Sequence, residues 1–299
     1  MFCRTSPHPS TTLIRIAPLL IAVGCAVLWP VTVQASESTP RSPAEYARKA
    51  ASATGYTESE LLQILNQAKP QLRIVELMDK PAEKALTWHQ YHTRIVTTDR
   101  VAQGKQFMYT HAQALAQAEA MYGVPKEIIA AIIGLETRFG ANKGNYRVLD
   151  SLSTLSFSYP RRAAFFQKEL TAFLVLAKQG QVDPLALKGS YAGAIGWPQF
   201  MPSNISKLGT DFDQDGRIDL YNSPVDAIGS VAKYFSASGW RTGQSVARPA
   251  ATAKGSDLTL EGAIGPTYFH LDHNFKVILR YNRSNLYAMA VLSLSEYLR

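Results

Sequence analysis

The fold is decided by the stretch VPKEIIAAIIGLETRFG, residues 124–140, which predicts one deeply buried helix. Pro125 suits the first helical position, and Gly140 is a typical residue just beyond a helix end. Apolar side chains cover most of the helix circumference, which indicates packing on several sides. They are Ile128, Ile129, Ile132, Ile133 and Leu135. The last turn carries an acid, Glu136, at a position where a charge is costly.

Glu136 is the first candidate catalytic residue. Burial disfavours its charged form, as does the partial negative charge at the C-terminal end of a helix, so we expect a raised pKa. A carboxyl group that stays protonated near neutral pH can donate its proton to the leaving oxygen of a glycosidic bond. The alternative is a carboxylate that turns into solvent or pairs with Arg138.

The first 35 residues have the layout of an export signal peptide. Arg4 and Arg15 provide the positive charge, residues 16–33 are apolar, and residues 33–35 (VQA) are typical of a cleavage site. Because polar sequence follows at once, this layout predicts export rather than a retained membrane helix.

Cys25 offers an alternative processing site, because small residues precede it as in bacterial lipoproteins. Lipidation there would attach the chain to a membrane. Cys3 is the other cysteine, so cleavage after residue 35 would leave no thiol for a disulfide or a metal. Loss of Arg4 and Arg15 lowers the net charge from +8 to +6, which suits an anionic polymer such as a bacterial wall. Export argues against nucleic acid as the partner.

Helical periodicity predicts a mainly α chain with a small β component, an α+β fold. A tether at 36–43 precedes an N-terminal helical lobe at 44–115, a core at 116–240, a small β-containing excursion at 241–274 and a strand with a helix at 275–299. Helices are predicted at 56–67, 86–101, 106–122, 161–179, 224–238 and 285–298. Residues 275–280 alternate and predict a short strand.

Residues 189–203, GSYAGAIGWPQFMPS, form a loop rich in glycine, aromatic and amide side chains. Glycine lets a backbone approach a ligand closely, and aromatic faces stack on the apolar faces of sugar rings. Gln199 offers a donor and an acceptor together. A packed turn held by its own aromatic residues is the alternative. Combined with an acid such as Glu136, this loop indicates a sugar-binding cleft.

Residues 211–219, DFDQDGRID, match the opening of an EF-hand loop. Carboxylates recur at positions 1, 3 and 5, glycine stands at 6, and a backbone carbonyl is offered at 7. Asn222 replaces the usual Glu at position 12, and an acid four residues later could close a longer loop. We therefore predict a structural Ca²⁺, or Na⁺ in a weak site, against the alternative of a solvated turn. The candidate ligands are Asp211, Asp213, Asp215, Arg217 and Asp226.

Two further polar groups have weaker patterns. Arg161 and Arg162 could hold the carboxylates of a peptide, or they could begin a helix and face solvent. Residues 280–282 (RYN) and Tyr287 form a polar, aromatic cluster, for which ordinary packing is the alternative. The histidines lack metal-ligand spacing, and no phosphate-binding glycine loop is present, so no organic cofactor is predicted.

Together these segments resemble the lytic murein transglycosylase B family. The resemblance runs from about residue 86 to the C-terminus, with the motifs in one order. It includes YGVP (122–125), GLETRFG (134–140), LSFSYPRR (155–162), KGSYAGAIG (188–196), QFMPS (199–203), DFDQDG (211–216), PVDAIG (224–229), RYN (280–282) and YAMAV (287–291). The resemblance implies an α-rich, lysozyme-like catalytic core with a cleft, acting on peptidoglycan in the periplasm.

The family resemblance also implies residue roles. Glu136 matches the single catalytic acid/base, and Ser190 and Asn282 match polar residues near the muramoyl N-acetyl group. The acidic segment 211–226, called the Asp loop below, matches the family's cation loop through Asp211, Asp213, Asp215 and Asp226. Further substrate-facing positions are Gln199, Tyr287, Tyr91, Arg161 and Arg162.

The implied reaction cuts between N-acetylmuramic acid (MurNAc) and N-acetylglucosamine (GlcNAc) and leaves a 1,6-anhydromuramoyl end. Ordinary glycosidases use two carboxylates, whereas this sequence places one acid in a cleft-forming motif. The N-acetyl oxygen of the substrate would supply the nucleophile, and Glu136 would act as acid and then as base. The alternatives are a hydrolytic muramidase and a non-catalytic wall-binding protein. We expect a monomer acting on glycan strands, with cell-wall synthases or amidases as further partners.

Overall fold

The computed structural model of this protein describes residues 39–79 and 86–299. The predicted leader at 1–35, both cysteines and positions 36–38 of the predicted tether lie outside these residues. Residue 43, predicted as the end of the tether, begins the first helix. The side chain of Ser42 caps that helix by accepting a hydrogen bond from the N–H of Glu45.

The described residues are mainly helical, as predicted. Their helices are α1 (Pro43–Thr54), α2 (Glu58–Leu65), α3 (Leu72–Asp79), α4 (Trp88–Ile95), α5 (Thr98–Thr110), α6 (Ala112–Tyr122), α7 (Lys126–Thr137), α8 (Val148–Ser158), α9 (Ala163–Lys178), α10 (Pro202–Leu208), α11 (Pro224–Ala237), α12 (His273–Tyr281) and α13 (Asn285–Leu298). A 3₁₀ turn at Pro160–Arg162 precedes α9. Within residues 39–79 and 86–299, no helix is both long enough and apolar enough to cross a membrane.

Capping residues explain where several helices begin. Thr57 and Glu60 form the capping box that starts α2. The predicted helix at 86–101 is two helices, because Thr97 caps a new one by accepting a hydrogen bond from the N–H of Arg100. The predicted helix at 106–122 is likewise interrupted, at His111.

The strands of the described residues form two small antiparallel sheets. β1 (Tyr146–Arg147) pairs with β2 (Lys188–Gly189), which places the start of the glycine-rich loop beside α8. The second sheet contains β3 (Ala247–Ala250), β4 (Leu258–Glu261) and β5 (Pro266–Leu271) in the order β3-β5-β4. The prediction of extended structure within 241–274 is therefore confirmed.

The predicted strand at 275–280 is wrong, because these residues belong to helix α12. Phe275 and Ile278 are fully buried and lie three residues apart, which is the spacing of one helix face. Asn274 is also buried, and its amide joins the start of this helix to the backbone of Arg241 and Gln244. The apolar residues of this segment alternate as in a strand. The burial of Phe275 and Ile278 on one face stabilises a helix instead.

Two clusters of buried apolar side chains organise the described residues. The first surrounds α7 and includes side chains from α5, α6, α11, α12 and α13. The second joins α1, α2 and α3 to α8, α9 and α10. Residues 129–133 of α7 are completely inaccessible to solvent, so this is the buried helix that the sequence predicts. Segment 44–115 contributes to both clusters, and the domain boundaries stay a prediction.

Candidate active site

Glu136 lies in the last turn of α7, at the point where this helix leaves the first apolar cluster. The helix ends at Thr137, because Arg138 and Phe139 adopt left-handed φ values of 51° and 54°. Gly140, the predicted stop, comes three residues later with a φ of 83°. The side chain of Glu136 is half-buried, so it has an apolar environment on one side and access to a ligand on the other.

The turn after Glu136 is held by Thr137. Its hydroxyl lies 3.2 Å from the carbonyl oxygen of Ile133 and 3.1 Å from that of Trp197, and it accepts the N–H of Gly140 at 3.0 Å. A Cβ on Gly140 would meet the indole ring of Trp197 at 2.5 Å, so glycine lets that ring pack here. These contacts offset the cost of the left-handed residues and fix the direction in which Glu136 leaves the helix.

Tyr287 is a hydrogen-bond partner of Glu136. Its hydroxyl donates to Oε1 of Glu136 at 2.6 Å. Tyr287 is only 4% exposed and lies in the first turn of α13, which packs along α7. Burial first, and then the negative charge of Glu136, raise the pKa of Tyr287 well above its usual range. The hydroxyl therefore stays protonated near neutral pH and acts as the donor.

The glycine-rich loop is a packed turn with polar side chains on it. Ile195 and Phe200 exchange backbone hydrogen bonds of 2.8 and 3.1 Å, and both side chains are buried. The hydroxyl of Ser190 accepts the N–H of Ala194 at 3.0 Å. Gln199 donates its amide N–H groups to the carbonyls of Gly196 and Lys143, at 2.9 and 3.2 Å. The loop therefore holds Ser190 and Gln199 in fixed orientations.

Tyr281 joins this loop to the surroundings of Glu136, although the sequence analysis assigned it no role of its own. Its hydroxyl donates to the carbonyl of Pro198 at 2.5 Å, and its ring stacks on Phe235 with centroids 5.5 Å apart. Burial and then the charge of Glu136 raise the pKa of Tyr281 well above its usual range. The only sequence clue was its position in the RYN motif.

Asn282 follows α12, and Tyr91 lies in α4. Asn282 ends α12, where its N–H donates to the carbonyl of Ile278 and its own carbonyl accepts the N–H of Ser284. Its half-buried side chain therefore stands directly before α13. Tyr91 in α4 is 4% exposed and contributes to raising the pKa of Tyr287. The structure thus groups Glu136, Tyr287 and Tyr91.

Arg161 and Arg162 lie in the 3₁₀ turn before α9. Arg161 pairs with Asp79 at 3.2 Å and is largely exposed. The guanidinium of Arg162 lies 4.4 Å from the ring centroid of Phe165, a side chain that is 38% exposed. These contacts leave both cations at the surface, and their part in substrate binding stays a prediction.

The Asp loop brings three carboxylates together. One oxygen from each of Asp211, Asp213 and Asp226 lies within 4.8 Å of the other two. Asp226 is 1% exposed and accepts the N–H groups of Phe212, Asp213 and Asp219 at 2.7, 3.3 and 2.8 Å. Burial raises the pKa of Asp226 in spite of these hydrogen bonds. A convergence of carboxylates that includes a desolvated one fits a hard cation such as Ca²⁺.

Two acids of this loop differ from expectation. Asp215, predicted as a ligand, is not part of the converging group. Its N–H donates to Asp211 and Asp213, and its carboxylate accepts the N–H of Arg217 at 2.9 Å. Asp219, which the sequence analysis did not select, accepts N–H groups of Tyr221 and Asn222 and so closes the turn before α11.

Known proteins resemble this chain over most of its length. A family model described as a transglycosylase SLT domain matches residues 40–265 and 250–296. The membrane-bound lytic murein transglycosylase B of Escherichia coli (strain K12) is 40% identical over 283 residues, which cover 81% of this chain and 78% of that protein. The chain belongs to the lytic murein transglycosylase family. Members of this family cleave peptidoglycan non-hydrolytically, so the predicted family, enzyme class and reaction are confirmed.

Solved structures of lytic transglycosylases share the fold. The E. coli lytic transglycosylase Slt35 in complex with calcium has a TM-score of 0.80 and 40% identity, covering 85% of this chain and 91% of that one. SltB3 from Pseudomonas aeruginosa in complex with NAG-NAM-pentapeptide has a TM-score of 0.75 and 29% identity, covering 85% and 78%. The predicted lysozyme-like, mainly α architecture of this lytic transglycosylase is therefore confirmed.

Proposed function

We propose that Glu136 is the acid/base with which this lytic transglycosylase cleaves the β-1,4 bond between MurNAc and GlcNAc. The observation that supports this role is the 2.6 Å hydrogen bond from the Tyr287 hydroxyl to Oε1 of Glu136, at the end of an apolar helix. This hydrogen bond holds the carboxyl group in one direction, because the tyrosine hydroxyl donates to Oε1. The carboxyl group is thus oriented as a general acid.

The reaction then follows from one carboxyl group and the substrate. The carboxyl group of Glu136 gives its proton to the leaving glycosidic oxygen while the N-acetyl oxygen attacks the anomeric carbon. This closes an oxazolinium ring and breaks the glycosidic bond. The Glu136 carboxylate next takes the proton of the sugar's 6-hydroxyl, whose oxygen attacks the same carbon and reopens the ring. The 1,6-anhydro bond forms, and Glu136 is protonated again.

The remaining site residues would bind and orient the glycan. Ser190, held by the glycine-rich loop, and Asn282, held between α12 and α13, would position the N-acetyl group. Gln199 and Tyr91 would line the cleft. Arg161 and Arg162, with their exposed guanidinium groups, would hold the carboxylates of a stem peptide.

The Asp loop would hold a structural Ca²⁺ through Asp211, Asp213 and Asp226. Support comes from their converging oxygens and from the calcium found with Slt35. The ion would offset most of the negative charge of the three carboxylates and fix the start of α11.

The enzyme would act in the periplasm after export by its leader, or as a lipoprotein attached at Cys25. Its relative in E. coli is membrane-bound and acts on murein, which supports the periplasmic side. Cell-wall synthases or amidases would be its protein partners.

Product mass tests whether this protein gives the products that the proposed role of Glu136 predicts. The chain from residue 36 onward is incubated with purified peptidoglycan, and the released fragments are analysed by mass spectrometry. We expect anhydromuramoyl ends, which are lighter by one water than hydrolysed ends. Reducing ends would identify a hydrolytic muramidase, and binding without release would identify a wall-binding protein.

Substitution of Tyr287 by phenylalanine should lower kcat about tenfold to a hundredfold. A hydrogen bond to a charged group contributes about 1.5–3 kcal/mol, and the change removes it while keeping the buried ring. Initial rates of fragment release measure the effect. Tyr297→Phe is the matched control, because Tyr297 lies on the same helix and is 54% exposed. Equal rates for the two variants would show that Tyr287 does not orient Glu136.

A further inference from the structure

Lys143 lies in the short segment that follows the turn of Glu136. This segment runs from Gly140 to Gly144, and both glycines have left-handed φ values, 83° and 91°. A segment with a glycine at each end has more backbone conformations available than an ordinary loop, so contacts of its side chains are needed to fix it. Lys143 is half-buried and supplies such contacts.

The ammonium group of Lys143 connects the 140–144 segment to the Asp loop and to the glycine-rich loop. Its Nζ donates to the carbonyl of Tyr221 at 2.7 Å and lies 4.3 Å from the centroid of the Tyr221 ring. It also lies 5.6 Å from the ring centroid of Trp197. Aromatic faces attract an ammonium group at such distances. One hydrogen bond and two ring contacts therefore hold the side chain of Lys143.

The backbone of Lys143 holds the side chain of Gln199. The amide nitrogen of Gln199 donates to the carbonyls of Lys143 and Gly196, at 3.2 and 2.9 Å. Because both acceptors are carbonyls, the nitrogen must face them and the amide oxygen must point away. In the part of the chain that the structure describes, this oxygen accepts no hydrogen bond. It is therefore placed to accept an N–H or O–H group of a bound sugar.

Gln199 has a backbone conformation that needs support from its neighbours. Its φ is 49°, in the left-handed region that few residues other than glycine adopt. Such strain persists where the surrounding contacts over-determine the conformation, and it is frequent at ligand sites. The N–H of Gln199 donates to the carbonyl of Gly196 within the glycine-rich loop, and Lys143 supplies a contact from outside that loop.

We propose that Lys143 is a positioning residue for glycan binding. Its ammonium group fixes the 140–144 segment, and its carbonyl thereby holds Gln199 as an acceptor for the glycan. The proposal rests on the function proposed above, in which Gln199 lines the cleft. Loss of the ammonium group would release the segment, and the carbonyl that orients Gln199 would move with it. Because this contact serves the ground state and the transition state alike, affinity falls while kcat stays nearly the same.

The test is the affinity of the Lys143→Met variant for soluble, uncrosslinked peptidoglycan strands. Methionine keeps an apolar stem and lacks the ammonium group. In the Glu136→Gln background, which prevents cleavage, we expect Kd to rise about threefold to tenfold, the equivalent of one hydrogen bond. With Glu136 intact, kcat at saturating substrate should change less than about twofold. Lys178→Met is the matched control, because Lys178 also lies over a tyrosine ring, 4.4 Å from the centroid of Tyr56.

A double-mutant cycle with Gln199→Ala tests whether the effect passes through Gln199. If it does, Lys143→Met should add almost nothing to the rise in Kd that Gln199→Ala causes alone. Lys143→Arg keeps a cation that can donate a hydrogen bond and lie over aromatic rings, so it should restore most of the affinity. A purely structural role of Lys143 would give neither the non-additive Kd nor the separation of Kd from kcat.

Four results would overturn the proposal. They are an unchanged Kd in Lys143→Met, an equal rise in Lys178→Met, a full additional rise in the Gln199→Ala background, and a Lys143→Arg variant that binds as weakly as Lys143→Met. Failure of the proposed catalytic function is distinguishable, because the unsubstituted protein would then release no anhydromuramoyl products, whatever the Kd of the variants.

Discussion

Substitution of Glu136 by glutamine is expected to slow peptidoglycan cleavage at least about 10²–10⁴-fold, the usual contribution of general acid or base catalysis. Glutamine has nearly the same shape and can still accept the hydrogen bond of Tyr287. It cannot donate a proton to the leaving oxygen or accept one from the 6-hydroxyl, so both chemical steps are lost. Quantifying the anhydromuramoyl fragments released per unit time measures the effect.

The matched control for this variant is Glu127→Gln. Glu127 lies in the first turn of the same helix, so the control removes one carboxylate from α7 far from the site. Both variants should keep their thermal unfolding midpoint, because neither leaves a buried charge without its partner. Near-full activity of Glu136→Gln, or an equal loss in Glu127→Gln, would contradict the assignment of Glu136 as the acid/base.

The sequence predicts those features of this fold that depend on neighbouring residues. Helix α7 is recognisable because its apolar residues are continuous over three turns, and Thr57 with Glu60 marks the start of α2. Residues 275–280 were assigned wrongly because Phe275 and Val277 also fit an alternating strand. Their burial against α13 and the amide contacts of Asn274 decide between the two, and these contacts come from distant parts of the chain.

In the candidate site, too, some features are visible in neighbouring residues and others depend on contacts between distant residues. Glu136 could be selected because a carboxyl group at the end of an apolar helix is visible locally. Its bond to Tyr287 joins residues 151 positions apart, so the periodicity of neither helix could predict it. Tyr281 was missed for the same reason, since its hydrogen bond to Pro198 spans 83 positions. Motif resemblance brought Tyr287 into the list of candidates, and packing shows what it touches.

Substitution of Asp226 by alanine is expected to lower the free energy of unfolding by about 2–5 kcal/mol. The change leaves the N–H groups of Phe212, Asp213 and Asp219 without their acceptor, and each unsatisfied buried donor costs about 1–3 kcal/mol where water cannot replace it. It should also abolish stabilisation by Ca²⁺, which for the unsubstituted protein amounts to about 2.7 kcal/mol at a hundredfold excess over Kd. Thermal unfolding with calcium and with a chelator measures both effects.

The Asp215→Ala variant tests whether the calcium response depends on the three converging carboxylates or on the total negative charge of the loop. It also removes one carboxylate, but Asp215 is exposed and does not belong to the three converging oxygens. This variant should keep most of the calcium-dependent rise in the unfolding midpoint, while Asp226→Ala loses it. If Asp215→Ala lost the calcium response and Asp226→Ala kept it, the ion would bind through the opening of the loop alone. The buried Asp226 would then act only as an acceptor for three backbone N–H groups.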